Sequence, residues 1–590
     1  MTRVPRVALT VLALLLVAGC GEDDDSNTSE TDNTIPGVLP QSAPREPVLP
    51  EGVLPRFTDT SQSAGVAFER YDDMQGQHRN MEANGGGVAL LDFDGDGRLD
   101  IFFTNGPPLP LRLPGSEHSN ELFRNTGPNT YSRQTADAGL IASGYFTGCA
   151  TGDVNNDGFE DLFVAAFGEN RLWINNGDGT FSEELVDALQ GDVRWSSSVA
   201  FGDLNRDGLL DIYCANYLQA VADPPTLCER PGSPDGYAQC SPTAFPADDD
   251  VLLLNGGIGD WHDRTVNCAI DGVDGKGLGV LIFDSDRDGW PDIYVANDVT
   301  PNFLYLNGME ARENDLVFRE SAVLLGAAVN NMGLAEASMG IACGDYDADG
   351  FADLFLSHFF GETNTLYRGN ATGAFTDETT ASRLGPSSRM RVGFGTEFLD
   401  WDNDGWLDLF VANGHIDDFT WASELETHCM RAQLYRNARD GRFEDVSLWG
   451  GDYFQSDWIG RGAAIGDLDN DGDLDIAVSH QLDRSAVLRN DTDVGARAVV
   501  LHLIGRAPSN RSAIGTRVVA RGLDLTLVRE VVGGGSYQSA SDRRVHIGLG
   551  QHDALPEVTL NWPSGRTDSW TGLPAGHYIV VEGQPPVSAP

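Results

Sequence analysis

One nine-residue pattern, Asp-x-Asp/Asn-x-Asp-Gly-x-x-Asp, recurs seven times along this chain and leaves few folds open to it. The copies begin at Asp92, Asp153, Asp203, Asp284, Asp345, Asp400 and Asp467, spaced by 61, 50, 81, 61, 55 and 67 residues. Five residues before each first Asp stands a small residue: Gly87, Gly148, Ser198, Gly279, Gly340, Gly395 or Gly462. An apolar run such as GVALLDF leads into each loop, and a second leaves it (IFFTN, LFVAA, IYCAN, IYVAN, LFLSH, LFVAN, IAVSH). A third run follows, from ELFRN in the first copy to AVLRN in the last, and a fourth often comes after a Gly-rich turn, as in GAFTDET. Short apolar runs separated by turn residues are β-strands in hairpins. About four such strands per unit, repeated seven times, predict an all-β fold, a seven-bladed β-propeller over residues 55–493. The seventh unit ends near residue 491 without a fourth strand. The orphan PRFTDTSQSAGV at residues 55–66 is expected to supply it and close the ring, which removes open sheet edges.

Within each loop the side chains at positions one, three and five turn inward and Gly at six lets the backbone fold over them. A carbonyl at seven adds an oxygen, and Asp at nine closes the site. The predicted metal ligands are therefore Asp92, Asp94, Asp96 and Asp100 in the first loop, and Asp153, Asn155, Asp157 and Asp161 in the second. The third and fourth loops supply Asp203, Asn205, Asp207 and Asp211, then Asp284, Asp286, Asp288 and Asp292. The last three supply Asp345, Asp347, Asp349 and Asp353; Asp400, Asp402, Asp404 and Asp408; and Asp467, Asp469, Asp471 and Asp475. Two of these 28 positions are Asn, so 26 are carboxylates. A pair of carboxylates about 4 Å apart repels by roughly 4 kcal/mol at an effective dielectric near 20. Crowded all-oxygen sites of this kind suit Ca2+, and about seven structural calcium ions are expected. The loop is not an EF-hand: Phe103 and Cys214 stand at position twelve of the first and third copies, where a Glu would be needed, and strands flank it. Formal net charge is −50, from 89 acidic and 39 basic residues. Such a polyanion will not bind nucleic acid or an anionic membrane surface through charge.

At the N-terminus Arg3 and Arg6 precede an apolar run from Val7 to Val17, followed by Ala18-Gly19-Cys20. This is an export signal over residues 1–19, too short to span a membrane comfortably. The sequence Val17-Ala18-Gly19-Cys20 resembles the bacterial lipobox, which implies lipidation of Cys20. Gly21, in place of an Asp, favours an outer-membrane or cell-surface lipoprotein; a periplasmic or secreted protein is the alternative. Contact with a membrane is expected only through that anchor, at about 0.8 kcal/mol per buried methylene. Residues 20–54 are acidic, then Pro-rich, and read as an extended tether.

The Asp loops with their flanking strands look like FG-GAP/VCBS repeats, the calcium-binding blades also found in the integrin α-subunit propeller. From residue 497 the loops stop and VVLHLIG, TRVVARG, LTLVREVVG, VHIGLG, EVTLNWPSG and YIVVEG predict a small antiparallel β-domain over residues 497–585. Its NRSAIGT, GGGSYQSASDRRVHIGLG and NWPSG stretches are similar to the ASPIC/UnbV domain, with Ala540 where that family usually has Gln and Ile547 in place of Phe. The first change weakens any polar binding role for that loop. Propeller plus this domain is the architecture of the cartilage acidic protein family, which implies adhesion or matrix roles only loosely.

An insert from Tyr217 to about Ala247 accounts for the longest spacing and carries Cys228 and Cys240 among several prolines. An exported chain is permitted disulfides, and this pair is predicted to form one; spacing does not pair Cys149, Cys214, Cys268, Cys343 and Cys429. His358, His480 and the residues Asn105, Asn216, Asn297 and Asn413 end the second strands, with His415 two residues beyond Asn413. These are expected to cap strand ends on the face opposite the Asp loops, and no G-x-S-x-G, HExxH or phosphate-binding Gly loop occurs. The chain is therefore expected to be a monomeric binder of an extracellular protein or glycan and not an enzyme. The insert and the Gly414–Met430 loop are its best contact candidates. The alternative is a propeller enzyme acting on an extracellular polymer through the Asn/His face.

Overall fold

The structure is a computed structural model that describes residues 52–589 apart from 75, 77, 110–117, 190, 192–193, 221–224, 272–273 and 309–315. The export signal, Cys20 and the tether up to residue 51 lie outside the described residues. Each Asp repeat forms the turn between the first two strands of a four-stranded antiparallel sheet. In the first unit the strands are Val88–Leu91, Asp100–Phe103, Glu121–Gly127 and Thr130–Arg133, paired in that order. Six further sheets repeat the plan, and in every unit the ninth loop residue opens the second strand, from Asp100 to Asp475. The first two strands are buried on both faces, as in VALL and DLFL. That is why their sequences are nearly continuous apolar runs rather than alternating ones.

The seventh sheet takes its outer strand from the other end of the chain: Phe57–Asp59 pairs antiparallel with Ala486–Asn490, Phe57 opposite Asn490. First strands of successive units pack side by side, and Gly460–Gly466 of the seventh packs against Val88–Leu91 of the first, so the sheets form a closed ring. The small residues ahead of each loop mark where these strands approach most closely. A Cβ on Gly340 would stand 2.1 Å from the Phe394 carbonyl oxygen, and one on Gly279 2.4 Å from that of Met339.

The C-terminal domain has two four-stranded sheets. One orders Val545–Gly548, Ala498–Ile504, Gly576–Val581 and Val587–Ser588; the other orders Leu527–Glu530, Arg517–Arg521, Ala554–Asn561 and Thr567–Pro574. One pairing departs from the antiparallel expectation: Ala498–Ile504 and Gly576–Val581 run parallel. Between them the chain builds Arg517–Arg521 and Leu527–Glu530, returns antiparallel to the first sheet as Val545–Gly548 and leaves again for Ala554–Asn561 and Thr567–Pro574, so no hairpin joins the two parallel strands.

The Gly533–Asp542 segment of this domain threads the centre of the ring. Gly534 and Gly533 pair with Leu281 and Ile282. Ser536 and Ile341 exchange backbone hydrogen bonds of 2.6 and 2.9 Å, Cys149 N donates to the Gln538 carbonyl at 3.0 Å, and Ala540 bridges Val88 and Leu90. Gln538 N donates to Ser198 Oγ at 3.1 Å, Ser541 Oγ to Glu397 Oε1 at 2.9 Å, and Asp542 N to the Ile465 carbonyl at 2.9 Å. The segment thus bonds to the first strand of all seven units and satisfies backbone groups that would otherwise face an open channel. Gly533 is required there, because a Cβ would fall 1.8 Å from the Phe201 carbonyl oxygen.

Candidate metal centres

The seven Asp loops share one local geometry. The first Asp accepts from the backbone N–H of Gly at six, at 2.8 Å in Asp92, Asp153 and Asp400 and 3.0 Å in Asp203, Asp284, Asp345 and Asp467. The fifth Asp accepts from the N–H at seven, as in Asp157 from Phe159 at 2.9 Å and Asp404 from Trp406 at 2.8 Å. Position four is left-handed in every copy: Gly95, Asn156, Arg206, Arg287, Ala348, Asn403 and Asn470 have φ between 56° and 72°. That conformation costs roughly 1–2 kcal/mol for a non-glycine residue, so the loop is held by its other bonds rather than by local preference.

The ninth Asp stitches the hairpin. Asp100 accepts from Phe93 N at 3.1 Å and Asn125 N at 2.7 Å, and Asp161, Asp211, Asp292, Asp353 and Asp475 repeat the pair. The Asn whose N–H donates the second of these bonds lies at or near the end of the third strand, and its side chain crosses to the preceding unit. Asn125 Nδ2 donates to the Leu468 carbonyl, Asn175 to Phe93, Asn255 to Val154, Asn307 to Leu204, Asn437 to Tyr346 and Asn490 to Trp401, all at 2.8–2.9 Å. Gly369 holds this position in the fifth unit, where a Cβ would lie 2.1 Å from the Ala352 carbonyl oxygen. This loop-to-loop stitch is legible in the recurring RN, IN and LN strand endings but has no place in a ligand motif.

In five loops three carboxylates converge within 4.8 Å: Asp92, Asp94 and Asp96; Asp284, Asp286 and Asp292; Asp345, Asp347 and Asp353; Asp400, Asp402 and Asp404; and Asp467, Asp469 and Asp475. In the other two, Asn155 and Asn205 sit at position three and donate to Asp157 and Asp207 at 2.9 Å. Oδ1 of Asp94, Asp203, Asp284, Asp345, Asp402 and Asp469 and Oδ2 of Asp408 are buried with no hydrogen-bond partner. Burial pushes Asp100, Asp161 and Asp292 up to about 8, and Asp203, Asp345, Asp402 and Asp467 up to about 7, with the neighbouring loop carboxylates adding to each shift. Orphaned, crowded carboxylate oxygens with no nitrogen or sulfur donor among them fit a hard divalent cation such as Ca2+.

The opposite face carries the Asn and His side chains that end the second strands. Asn105, Asn216, Asn297 and Asn413 each donate from Nδ2 to a loop carbonyl, those of Ser119, Asp249, Pro301 and Arg431, at 2.6–3.1 Å. His358 Nδ1 meets the Thr363 carbonyl at 2.9 Å, and His480 meets the Arg484 carbonyl and Tyr453 Oη at 2.7 and 2.9 Å. His415 differs: its Nδ1 accepts from Ile416 N at 3.0 Å, and its ring lies among Phe359, Phe360 and Phe419. Over the same face lies the insert, closed by a Cys228–Cys240 disulfide, and His78 Nε2 lies 2.8 Å from its Asp235. Cys149, Cys214 and Cys268 are buried, Cys343 is partly buried and Cys429 is exposed.

The C-terminal domain rests on the Asp loops themselves. Ser512 Oγ accepts from Asp153 N, the Pro563 carbonyl from Arg206, and Glu530 Oε1 from Asp284 N, at 3.0, 2.8 and 3.1 Å. Arg517 and Arg529 donate to the carbonyls of Gly350 and Gly405, and His546 Nε2 lies 3.0 Å from that of Gly472. Loops two to seven are thereby each tied to this domain, a contact that sequence patterns do not encode.

Family models bear on the same two regions. The FG-GAP-like repeat model matches residues 92–164, 153–214, 284–356, 345–411 and 400–478, and the ASPIC and UnbV model matches residues 506–586. Cartilage acidic protein 1 of Xenopus tropicalis is 26% identical over 294 residues, 49% of this chain and 42% of that protein. The Homo sapiens protein of that name is 24% identical over 338 residues, 56% of this chain and 46% of its own length. The chain thus spans less than half the length of the curated relatives it matches. Similar solved structures include an Agrocybe aegerita lectin that recognises non-reducing terminal N-acetylglucosamine (TM-score 0.36, 14% identity, 70% of this chain and 92% of that one). Another is PorZ of Porphyromonas gingivalis, a surface component of the type-IX secretion system (TM-score 0.38, 9% identity, 84% of this chain and 59% of that one).

Proposed function

The chain belongs to the FG-GAP-like repeat family and carries an ASPIC and UnbV domain; on that premise we propose that it is an exported, calcium-stabilised β-propeller that binds a protein or glycan partner outside the cell. The observation that carries this reading is the set of buried, unpartnered carboxylate oxygens in the Asp loops. Asp92, Asp94 and Asp96, and Asp400, Asp402 and Asp404, would hold the cations in loops one and six, whereas in loops four, five and seven the ninth-position Asp292, Asp353 and Asp475 join the first and third positions. Arginines already pair with Asp94, Asp96, Asp347, Asp349 and Asp404, and calcium would supply positive charge to the carboxylate oxygens that remain; seven ions would take the formal charge from −50 to −36.

In this reading the role is binding rather than catalysis; that Asn105, Asn216, Asn297, Asn413, His358 and His480 are engaged with backbone carbonyls at the strand ends supports it. The disulfide-closed insert and the Gly414–Met430 loop, which share that face, are the contact candidates. The signal sequence and Cys20 place the chain in this reading at the outer membrane or cell surface, tethered by lipid. Metabolic labelling with a fatty acid should mark the wild-type chain and leave Cys20→Ser unlabelled. Elemental analysis of the purified protein should find about seven calcium atoms per chain. Arrays of extracellular glycans and matrix proteins, probed with and without EDTA, should show retention that chelation abolishes. Turnover of a polymer without stable retention would instead favour an enzyme.

A further inference from the structure

In every unit one residue stands immediately before the third-strand Asn or Gly whose N–H meets the ninth-position Asp. That residue is Arg124, Ile174, Leu254, Leu306, Arg368, Arg436 or Arg489 in units one to seven. Two of the arginines turn onto the carboxylates of their own Asp loop, and they do so with the same atoms. In loop one Arg124 Nε pairs with Asp94 Oδ2, and its Nη2 lies 3.3 Å from Asp96 Oδ2. In loop five Arg368 Nε lies 2.5 Å from Asp347 Oδ2, and its Nη2 donates to Asp349 Oδ2 at 2.6 Å. Each planar guanidinium thus forks across positions three and five of its loop. Arg98 adds a second hold on Asp96. Arg436 and Arg489 turn instead to Glu444 and Asp491, and loop four has the uncharged Leu306 at this position.

Both forked loops are among those in which three carboxylates converge. The fork takes Oδ2 of the third Asp, while Asp94 Oδ1 in loop one and Asp345 Oδ1 in loop five stay buried without a partner. These loops therefore keep oxygens for a cation, but a positive charge already sits at two of their ligand positions. That charge relieves the crowding of the carboxylates when no ion is bound, and it repels a dication that enters. The count of ligand charges tunes calcium affinity in loops of this type. Arg124 and Arg368 are 38% and 42% exposed. Ion pairs as exposed as these are weak, so the guanidinium can move into solvent as an ion arrives.

We propose that Arg124 and Arg368 are built-in counter-ions that hold loops one and five in shape without calcium and make them weaker, more readily exchanged calcium sites than loop four. The inference rests on the calcium reading above. Loops one and five would then fill and empty as external calcium varies, while loop four stays filled.

The test is the calcium retained per chain, by elemental analysis, after the full mature protein is dialysed against a series of buffered free-calcium concentrations. In Arg124→Leu, and separately in Arg368→Leu, one calcium per chain should be retained at roughly tenfold lower free calcium than in wild type; the double variant should shift two. Leu306→Arg, which moves the fork to loop four, should shift one calcium in the opposite direction. Arg124→Lys keeps the charge and should stay close to wild type. In EDTA the leucine variants should melt below wild type, by a margin that shrinks as salt is raised, and saturating calcium should close the gap. Leucine variants that retain calcium as wild type does, or that lose one calcium outright, would overturn the counter-ion role and leave the calcium scaffold standing. Wild-type protein that retains no calcium at any concentration would overturn both.

Discussion

At the scale of single residues, two kinds of buried carboxylate behave differently. Asp345 belongs to a loop in which three carboxylates converge and its Oδ1 has no partner. Asp345→Asn should remove one calcium per chain and destabilise the calcium-loaded protein by roughly 1–3 kcal/mol. In EDTA the same variant should be as stable as wild type or more so, because an uncompensated buried charge has gone; melting curves in both conditions check the change of sign. Glu397 is no loop residue: it faces the threaded segment, accepts from Ser541, and burial pushes it up to about 8. Its folded form therefore holds a proton that the unfolded chain releases near pH 4.5, and stability from this group falls as pH rises from about 4.5 to 8. Glu397→Gln should flatten that fall, gaining on the order of 1–3 kcal/mol at pH 9 and little at pH 5, as read by denaturant titration at the two pH values. The ligand positions of the loops are plain in the sequence because each is a fixed residue type at fixed spacing. Glu397 is not, because only a segment more than a hundred residues away makes its site a buried one.

At the scale of elements, the repeat shows where strands begin and end but not how units adhere. Third-strand Asn residues tie six of the seven loops to the preceding one, the fifth unit having Gly369 instead, and Asn125 reaches Leu468 across the ring closure. Asn255→Ala would leave the Val154 and Leu210 carbonyls unsatisfied and should cost roughly 1–3 kcal/mol, measured by urea unfolding. The closing strand at Phe57–Asp59 was readable because its FTD matches the FTD of the fifth unit at Phe375–Asp377. The threaded segment was not readable. GGGSYQSASD has the composition of an exposed turn, and only the packing shows that its glycines admit the chain between carbonyls. Gly533→Val, with a Cβ 1.8 Å from the Phe201 carbonyl oxygen, should expel the segment and destabilise the protein by about 3 kcal/mol or more. Limited proteolysis within residues 533–542 would reveal the expulsion.

At the scale of the whole molecule, ring and C-terminal domain form one compact unit from Pro50 to Pro590, because the domain both plugs the ring and rests on its loops. The sequence shows two regions of different pattern and so predicts two domains. Their interdependence comes from backbone bonds between distant segments, which leave no periodic trace. One consequence is that calcium in the loops should stabilise the domain as well as the ring, and the two should unfold together. The most direct test is thermal unfolding of the soluble chain, residues 50–590, in EDTA, in excess calcium and in excess magnesium. Calcium is predicted to raise the midpoint strongly in a single transition, to restore it after chelation, and to do so where magnesium does not. An unchanged midpoint in all three, in protein that elemental analysis finds free of metal, would contradict the account.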